Sequence, residues 1–383
     1  MFRSFAALLL SLSLYACTAP MPGPLPSPGP SPTPFETPLP NPQPKPWAIT
    51  NYALLSGEGL ALVRMANPGL LQLRQSATAQ FKFLDFPGEA IDSIQASPDL
   101  SKLLLVSRQT SEPNSARVYL LKADGTGLRQ LELPHPPIGY GQLYWFPDGQ
   151  ELLYASADAS GQVLWYRHSL TRSQDQLVSE TRGLSDLLIS PDGQQILASV
   201  TPASGAPLYP FLIVPAQTIR LAADGSVKLL TPEPDQRATP VAWYPDSKKA
   251  ILAVYKSGAQ SLLVIDAEGR PLAPISDPKL YYWSATPSPD GQSLLIEAAD
   301  SISDAISSDQ QNVVLVARAD GSEPVTLGSF PRTGNEQTSL SQLHWSPDAK
   351  SVWYLRAGSL YRWSLSERKA SLINSGDSAD CCR

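Results

Sequence analysis

The stretch WFPDGQELLYAS, residues 145–156, joins a Pro-Asp dipeptide to a run of apolar residues. Proline sets φ for the second position of a type I turn, aspartate can hydrogen-bond the local backbone, and glycine is favoured at the fourth position. The segment after the turn, ELLYAS, has the apolar and aromatic character of a β-strand. The stretch therefore predicts a tight turn between two strands, with Trp145 at the end of the first.

The Pro-Asp pattern recurs along the chain, with its prolines at positions 98, 147, 191, 245, 289 and 347. Successive prolines are about 50 residues apart on average, a period typical of propellers. A second turn signal, Asp-Gly or Glu-Gly between two strand-like runs, indicates a hairpin in 118–133, 219–230, 262–275 and 313–327. Each unit thus predicts four strands. The aspartates expected to stabilise the first turn are Asp99, Asp148, Asp192, Asp246, Asp290 and Asp348.

This repeat predicts an all-β fold, a β-propeller of four-stranded blades across residues 47–376. Residues 54–84 lack Pro-Asp, but their strand-like runs and polar turns follow the same order as those of residues 344–374. They predict a degenerate first blade, and we therefore favour seven blades. Six blades with an N-terminal extension is the alternative.

The unit SPDGQQILASV at 190–200, with the Asp-Gly hairpins, resembles the WD40-like propeller repeat of the TolB family, the periplasmic component of the Tol–Pal envelope system. The resemblance covers residues 90–375 and implies the propeller fold. The same repeat occurs in peptidase propellers and in many uncharacterised bacterial proteins, so it implies no single role. TolB proteins carry an α/β domain before the propeller, whereas this chain has the lipobox and a proline-rich segment there. TolB itself is also soluble, so the partnership with Pal is not carried over.

The N-terminal segment has the features of a secretory signal over residues 1–16, with Arg3 followed by an apolar core. That core is too short to span a bilayer, which takes about 20 residues. The sequence Leu14-Tyr15-Ala16-Cys17 resembles the bacterial lipobox and implies cleavage before Cys17, which then carries the lipid, palmitate included. The alternative is an ordinary secretory signal with a chance cysteine.

Residues 17–46 are rich in proline and predict an extended polyproline II tether. A C-terminal tail, 377–383, ends with Cys381 and Cys382, to which no role is assigned. These segments predict an extracytoplasmic protein anchored to the membrane through the N-terminal lipid alone. By resemblance to lipoproteins of diderm bacteria, Thr18 implies sorting to the outer membrane, facing the periplasm; in a host without an outer membrane, the location is the outer face of the plasma membrane.

Charge and motifs exclude several classes of function. The formal net charge is −6 and the basic residues form no block, which argues against nucleic acid as a partner. The chain has 3 histidines and lacks a Gly-x-Ser-x-Gly or His-Glu-x-x-His motif. We therefore expect no catalytic residue, cofactor or metal, and we expect His168 and His344 to pack in the core.

The loops opposite the Pro-Asp turns are the longest and are expected to carry the binding surface. The aromatic and arginine residues there are typical of interfaces: Tyr140, Tyr209, Phe211, Arg237, Tyr281, Tyr282 and Arg332. The sequence favours a monomeric, non-catalytic module that binds an envelope protein or glycan. The alternative is a propeller enzyme, a glycan lyase or hydrolase, with a dispersed active site at the channel mouth.

Overall fold

The computed structural model describes residues 48–64, 70–76, 78–84, 86, 91–109, 112–138, 143–161, 163–179, 184–200, 211–215, 236–256, 259–300, 311–331 and 340–375. In these residues the chain forms antiparallel sheets whose hydrogen-bonded strands follow one another in sequence order. The fold is an all-β propeller with four-stranded blades. The expectations for residues 1–46 and 377–383 lie outside the described residues.

The first sheets are formed by the N-terminal half of the chain, and each is numbered by its order in the sequence. Sheet 1 contains β1 (Ile49–Leu54), β2 (Leu60–Arg64), β3 (Leu70–Arg74) and β4 (Lys82–Leu84). Sheet 2 contains β5 (Ile91–Ala96), β6 (Lys102–Gln109), β7 (Glu112–Lys122) and β8 (Arg129–Gln130). Sheet 3 contains β9 (Leu143–Trp145), β10 (Glu151–Ala157), β11 (Val163–Ser169) and β12 (Gln174–Ser179).

The remaining sheets follow the same plan, except that sheet 4 has three described strands. Sheet 4 contains β13 (Leu184–Ile189), β14 (Gln195–Val200) and β15 (Phe211–Pro215). Sheet 5 contains β16 (Gln236–Trp243), β17 (Lys249–Lys256), β18 (Ala259–Asp266) and β19 (Pro271–Ile275). Sheet 6 contains β20 (Tyr281–Pro287), β21 (Ser293–Ala299), β22 (Gln311–Arg318) and β23 (Val325–Pro331). Sheet 7 contains β24 (Leu340–Trp345), β25 (Ser351–Arg356), β26 (Ser359–Ser364) and β27 (Lys369–Asn374).

The prediction that residues near 54–84 form a four-stranded unit of their own is confirmed by sheet 1. The described part of the chain therefore contains six four-stranded sheets and the three-stranded sheet 4. The hairpin predicted at 219–230, which follows sheet 4 in the sequence, lies outside the described residues.

The core consists of apolar clusters between the faces of consecutive sheets. Sheets 1 and 2, for example, share a cluster that includes Ala61 and Leu105. The same type of cluster joins sheet 7 back to sheet 1, where Trp353 and Leu360 pack with Ile49. Because consecutive sheets pack face to face, alternation along the second strands β10, β17 and β21 buries side chains on both faces, whereas outer strands such as β8 and β19 are largely exposed.

Polar contacts reinforce the junction between the first and last sheets. The Tyr52 hydroxyl donates to the carbonyl of Gln342 at 2.6 Å, and the Gln342 side chain donates to the carbonyl of Thr50 at 3.1 Å. The backbone N–H of Ile49 also donates to the carbonyl of Gly358 at 2.9 Å. Residues from the two ends of the described chain thus meet directly.

The first strand of a sheet is irregular in most of the sheets. Its register against the second strand shifts between Ile49 and Asn51, Ile91 and Ser93, Ser185 and Leu188, Pro240 and Ala242, Tyr282 and Ser284, and Ser341 and His344. A bulge bends the strand and redirects the side chain of the extra residue. In sheet 6 the extra residue is Trp283, which is 37% exposed.

The one described helix is the short 3₁₀ turn Ser56–Glu58. Among the described residues, none of the helical segments has the length and apolar character needed to cross a bilayer.

Candidate functional site

The six Pro-Asp turns have one geometry. In each turn a side-chain oxygen of the aspartate accepts the N–H of the residue two positions later, at 2.9–3.1 Å. In four of them a serine hydroxyl also donates to the carboxylate at 2.5–2.6 Å, from Ser97, Ser190, Ser288 and Ser346. The aspartate side chain therefore closes the turn in sheets 2 to 7.

These hydrogen bonds lower the pKa of four of the turn aspartates, Asp99, Asp192, Asp290 and Asp348. Hydrogen bonds from the Ser288 hydroxyl and the Gln292 backbone lower the pKa of Asp290. At Asp99, desolvation alone would raise the pKa, but hydrogen bonds from the Ser101 and Ser97 side chains and the Ser101 backbone outweigh it and lower the pKa to about 2. These four turns thus carry negative charge at neutral pH.

Neighbouring Pro-Asp turns touch one another. The backbone N–H of Asp192 donates to the Ser247 hydroxyl of the next turn at 2.9 Å. The Lys102 ammonium, which follows one turn, donates to the carbonyl of Gly149 in the next at 3.2 Å. We call the set of turns 55–59, 97–101, 146–150, 190–194, 244–248, 288–292 and 346–350 the turn rim, because each turn ends the first strand of its sheet.

A cavity of about 500 Å³ lies at the turn rim, between sheets 6, 7, 1 and 2. Its walls are mainly apolar, with three of the Pro-Asp prolines among them. The lining residues are Tyr52, Ala53, Leu54, Ile94, Gln95, Ala96, Pro98, Leu100, Pro289, His344, Trp345 and Pro347. We call this cavity the channel mouth, because the first strands of sheets 1, 2 and 7 supply most of its wall.

His344 is the chemically distinctive residue of the channel mouth. Its imidazole meets the Tyr52 ring edge to face, with 5.2 Å between ring centroids, and makes no hydrogen bond within the described part of the chain. The side chain is open to the channel, yet the surrounding protein atoms desolvate it, and this lowers the pKa of His344. The imidazole is thus neutral at neutral pH and accessible to a ligand, whereas the sequence predicted a packing role.

Arg237 and Tyr281 lie at the opposite end of the sheets, near the starts of β16 and β20. Arg237 is exposed and lines a second pocket of about 380 Å³ with Thr239, Ala253, Tyr255 and Gln260, while Tyr281 is half-buried. The structure therefore brings these two predicted residues to the same end of adjacent sheets.

The other residues predicted for this surface have different positions. Tyr282 is 5% exposed and packs in the cluster between sheets 5 and 6, because adjacent residues of a strand point to opposite faces. Its ring is a core component and not part of an exposed surface. Phe211 begins β15. Tyr140, Tyr209 and Arg332 lie outside the described residues, as does Cys17.

A buried polar cluster lies within sheet 3. The His168 Nδ1 is 2.7 Å from one oxygen of Asp175, and the Tyr154 hydroxyl donates to the other oxygen at 2.5 Å. As predicted from the sequence, His168 is a buried residue of a strand, with no exposed surface. The cluster joins β10, β11 and β12, and we interpret it as structural. Among the described residues there is no group of three or more His, Cys, Asp or Glu side chains that could hold a metal ion.

Comparison with known proteins identifies the fold. No family model matches the sequence, and no curated protein matches it. Among solved structures, a prolyl endopeptidase matches with a TM-score of 0.60 and 18% identity, covering 85% of this chain and 49% of the other. The tricorn protease matches with a TM-score of 0.60 and 12% identity, covering 89% of this chain and 36% of the other.

The structural neighbours also include TolB proteins. TolB from Acinetobacter baumannii is 17% identical with a TM-score of 0.49, covering 82% of this chain and 79% of the other. The chain spans about half the length of the prolyl endopeptidase and about a third of that of the tricorn protease. At these identities the likeness shows a shared fold, and the chain is a β-propeller similar to those of the two peptidases.

Proposed function

We propose that the protein is a binding or scaffold module that holds a cell-envelope protein or glycan at its channel mouth. The observation that carries the proposal is the composition of this cavity. Ligand sites are concave, mostly apolar and equipped with a few polar groups that fix orientation. The channel mouth has that character, with Leu54, Ile94 and Leu100 in its wall and His344 and Gln95 as polar groups.

We propose further that sheet 4 is a seventh blade. Its faces pack on both neighbours, through Leu184 and Ile196 toward sheet 3 and through Leu197 toward sheet 5. The predicted hairpin at 219–230 is the segment that would supply its fourth strand. A seven-bladed ring would then consist of residues 47–376.

The membrane anchor is part of the same proposal. A lipid on Cys17 would hold the protein at the membrane outside the cytoplasm, and the proline-rich tether 17–46 would give the propeller its reach. Mass spectrometry of the mature N-terminus should find a lipid-modified Cys17, and Cys17→Ser should release the protein from membranes. Cys382→Ser is the matched control and should leave the protein bound. An unmodified Cys17 or cleavage at another position would contradict the anchor.

Site-specific photocrosslinking in the cell envelope tests the binding site. A photoreactive amino acid in place of Leu100, which lines the channel mouth, should form one defined adduct with a protein or glycan. The matched control is the same substitution at Leu372 on the outer strand β27, where the side chain is 54% exposed but far from the cavity in the sheet order. An identical adduct from both positions, or none from Leu100, would refute binding at the channel mouth.

The second candidate function is a propeller enzyme, either a glycan lyase or a hydrolase. The observation in its favour is the neutral, accessible imidazole of His344, since such a group can act as a general base. The two functions are separated by incubating the ligand identified by crosslinking with the parent protein and, separately, with the variant His344→Gln, and then analysing the ligand for products. Unchanged ligand in both samples supports a binding module, whereas products formed by the parent and lost with His344→Gln would show an enzyme.

A further inference from the structure

We infer that the partner segment entering the channel mouth is a basic peptide with an apolar side chain, an inference that rests on the proposed function. Its starting point is the contrast between the cavity and its border. None of the residues that line the cavity is Lys or Arg, and its wall is made largely of aliphatic side chains, prolines and Trp345. An apolar side chain fits such a wall.

Carboxylates directly neighbour several residues of this wall in the sequence. Asp99 lies between the lining residues Pro98 and Leu100, and Asp290 and Asp348 directly follow Pro289 and Pro347. Glu58 lies in the equivalent connection of sheet 1, between β1 and β2. Sheets 2, 6 and 7 thus each place one acidic residue directly beside a lining residue, and sheet 1 contributes Glu58 in its equivalent turn.

Nearby cations neutralise this border in part. Lys102 lies 3.7 Å from Asp99, and Arg362 lies 3.7 Å from Glu58. Asp290 has no ion pair among the described residues, although its carboxylate accepts two hydrogen bonds within its own turn. The turn rim itself contains seven carboxylates and two lysines, Lys248 and Lys350, and two further lysines, Lys102 and Lys249, directly follow it. A cationic segment therefore meets a favourable field at the border of the cavity.

The residues that line the cavity do not neutralise the negative charge of the neighbouring turns. His344 is the one titratable side chain in the wall apart from Tyr52, and its pKa is lowered, so the imidazole adds no positive charge at neutral pH. The Tyr52 hydroxyl is buried, which raises its pKa and keeps it neutral. The complementary ligand consequently combines an apolar side chain for the wall with flanking cations for the border.

Isothermal titration calorimetry with three short peptides tests this inference on the complete mature protein. The probes are acetyl-KKWKK-amide, its acidic counterpart acetyl-EEWEE-amide and the apolar-deficient acetyl-KKGKK-amide. We expect acetyl-KKWKK-amide to bind most tightly, with an affinity that falls as salt is raised from about 50 to about 500 mM. The other two peptides should each bind at least about tenfold more weakly, because one lacks the charge and the other lacks the apolar anchor.

Charge variants locate the effect. Asp290→Asn with Asp348→Asn removes two border charges but keeps the side-chain oxygen that closes each turn, and should weaken acetyl-KKWKK-amide about three- to tenfold. The matched control is Asp124→Asn with Asp320→Asn, which removes two charges from the outer hairpin turns, where the aspartates make the same kind of turn hydrogen bond. The control should change the affinity less than about twofold, since those turns join the third and fourth strands of their sheets and the cavity is lined mainly by first strands. Leu100→Asn, which tolerates the positive φ of 55° at that position, should weaken binding through loss of the apolar wall.

The outcomes separate this inference from the proposed function. Equal binding of the acidic and basic peptides, an equal loss in both double variants, or no binding of acetyl-KKWKK-amide would overturn the inference. If crosslinking from Leu100 still yields its adduct in those cases, the channel mouth binds a partner of another chemistry and the proposed function stands. Absence of both peptide binding and the adduct would overturn both.

Discussion

The fourth residue of each Pro-Asp turn has a positive φ whatever its side chain. Gly149, Gly193 and Gly291 occupy three of these positions, with φ of 61°, 70° and 70°. Ala349 adopts φ of 59° at an equivalent position, where its Cβ makes the conformation unfavourable. The turn is therefore imposed by the proline, the aspartate and the strand pairing around it, and glycine only lowers its cost.

A reciprocal pair of substitutions tests this reading. Ala349→Gly should raise the free energy of unfolding by up to about 1 kcal/mol, because it relieves the left-handed conformation. Gly193→Ala should lower it, since an added Cβ would sit 3.4 Å from Pro147 as well as at positive φ. Chemical denaturation of the two variants measures both changes. A destabilised Ala349→Gly variant would show that the alanine side chain matters more than the backbone conformation.

The ionised turns also predict an acid dependence of stability. The pKa of Asp99 is lowered to about 2 in the folded protein, and an unfolded aspartate titrates near about 3.9. Its stabilising contribution is complete above about pH 4 and is lost as the pH falls toward about 2, because the folded carboxylate must then be protonated. The difference in unfolding free energy between the parent and Asp99→Asn should shrink across that interval. A difference that stays constant with pH would mean that Asp99 contributes nothing through its charge.

At the level of the strands, tryptophans tie the first strand of one sheet to that of the preceding sheet. The Trp243 indole donates to the carbonyl of Leu188 at 3.0 Å, and the Trp345 indole donates to that of Thr286 at 2.8 Å. Trp145 occupies the same place in sheet 3, but its buried indole nitrogen has no hydrogen-bond partner among the described residues. The three positions look equivalent in the sequence and differ in the structure.

Phenylalanine substitutions exploit this difference. Trp243→Phe should lower the free energy of unfolding by about 1–3 kcal/mol beyond its packing loss, because the carbonyl of Leu188 is left without its donor. Trp145→Phe is the matched control, which loses ring volume but no hydrogen bond. Thermal unfolding of both variants gives the comparison. Equal losses would show that the indole hydrogen bond contributes nothing measurable.

Local patterns predicted the Pro-Asp turns, the hairpins at 118–133, 262–275 and 313–327 and the first sheet, because each depends on residues close in sequence. The bulges in the first strands were not predicted, since they arise where a strand pairs on one side only and must fit the channel. The exposure of Trp283, the extra residue of its bulge, could not be read from apolar patterning, and neither could that of His344, which pairs with Trp353 directly after a bulge. Tyr282 was expected beside Tyr281 on an exposed surface, yet strand alternation carries it into the core.

At the scale of the whole propeller, the contact between sheet 1 and sheet 7 determines whether the channel mouth can form. Sheet 1 and sheet 7 pack together through Ile49, Tyr52, Trp353 and Leu360. In the described residues, sheet 1 contains only N-terminal strands and sheet 7 only C-terminal strands, so the contact between them is between sheets and not within one sheet. The channel mouth draws its wall from both sheets, including Tyr52 and His344. The channel mouth is therefore complete only when residues 49–84 are in place.

The most direct test is thermal unfolding of two shortened chains, one beginning at Trp47 and one beginning at Ala90. The first should be a monomer with a single cooperative transition, because it retains every described sheet. The second lacks sheet 1 and exposes apolar faces that include Leu105 of sheet 2 and Trp353 of sheet 7. Exposing apolar surface costs about 25 cal/mol of folding free energy per Å². It should aggregate or unfold without cooperativity. A chain beginning at Ala90 that stays monomeric and melts like the longer one would contradict the account, because residues 47–89 would then be an appendage and not a wall of the channel mouth.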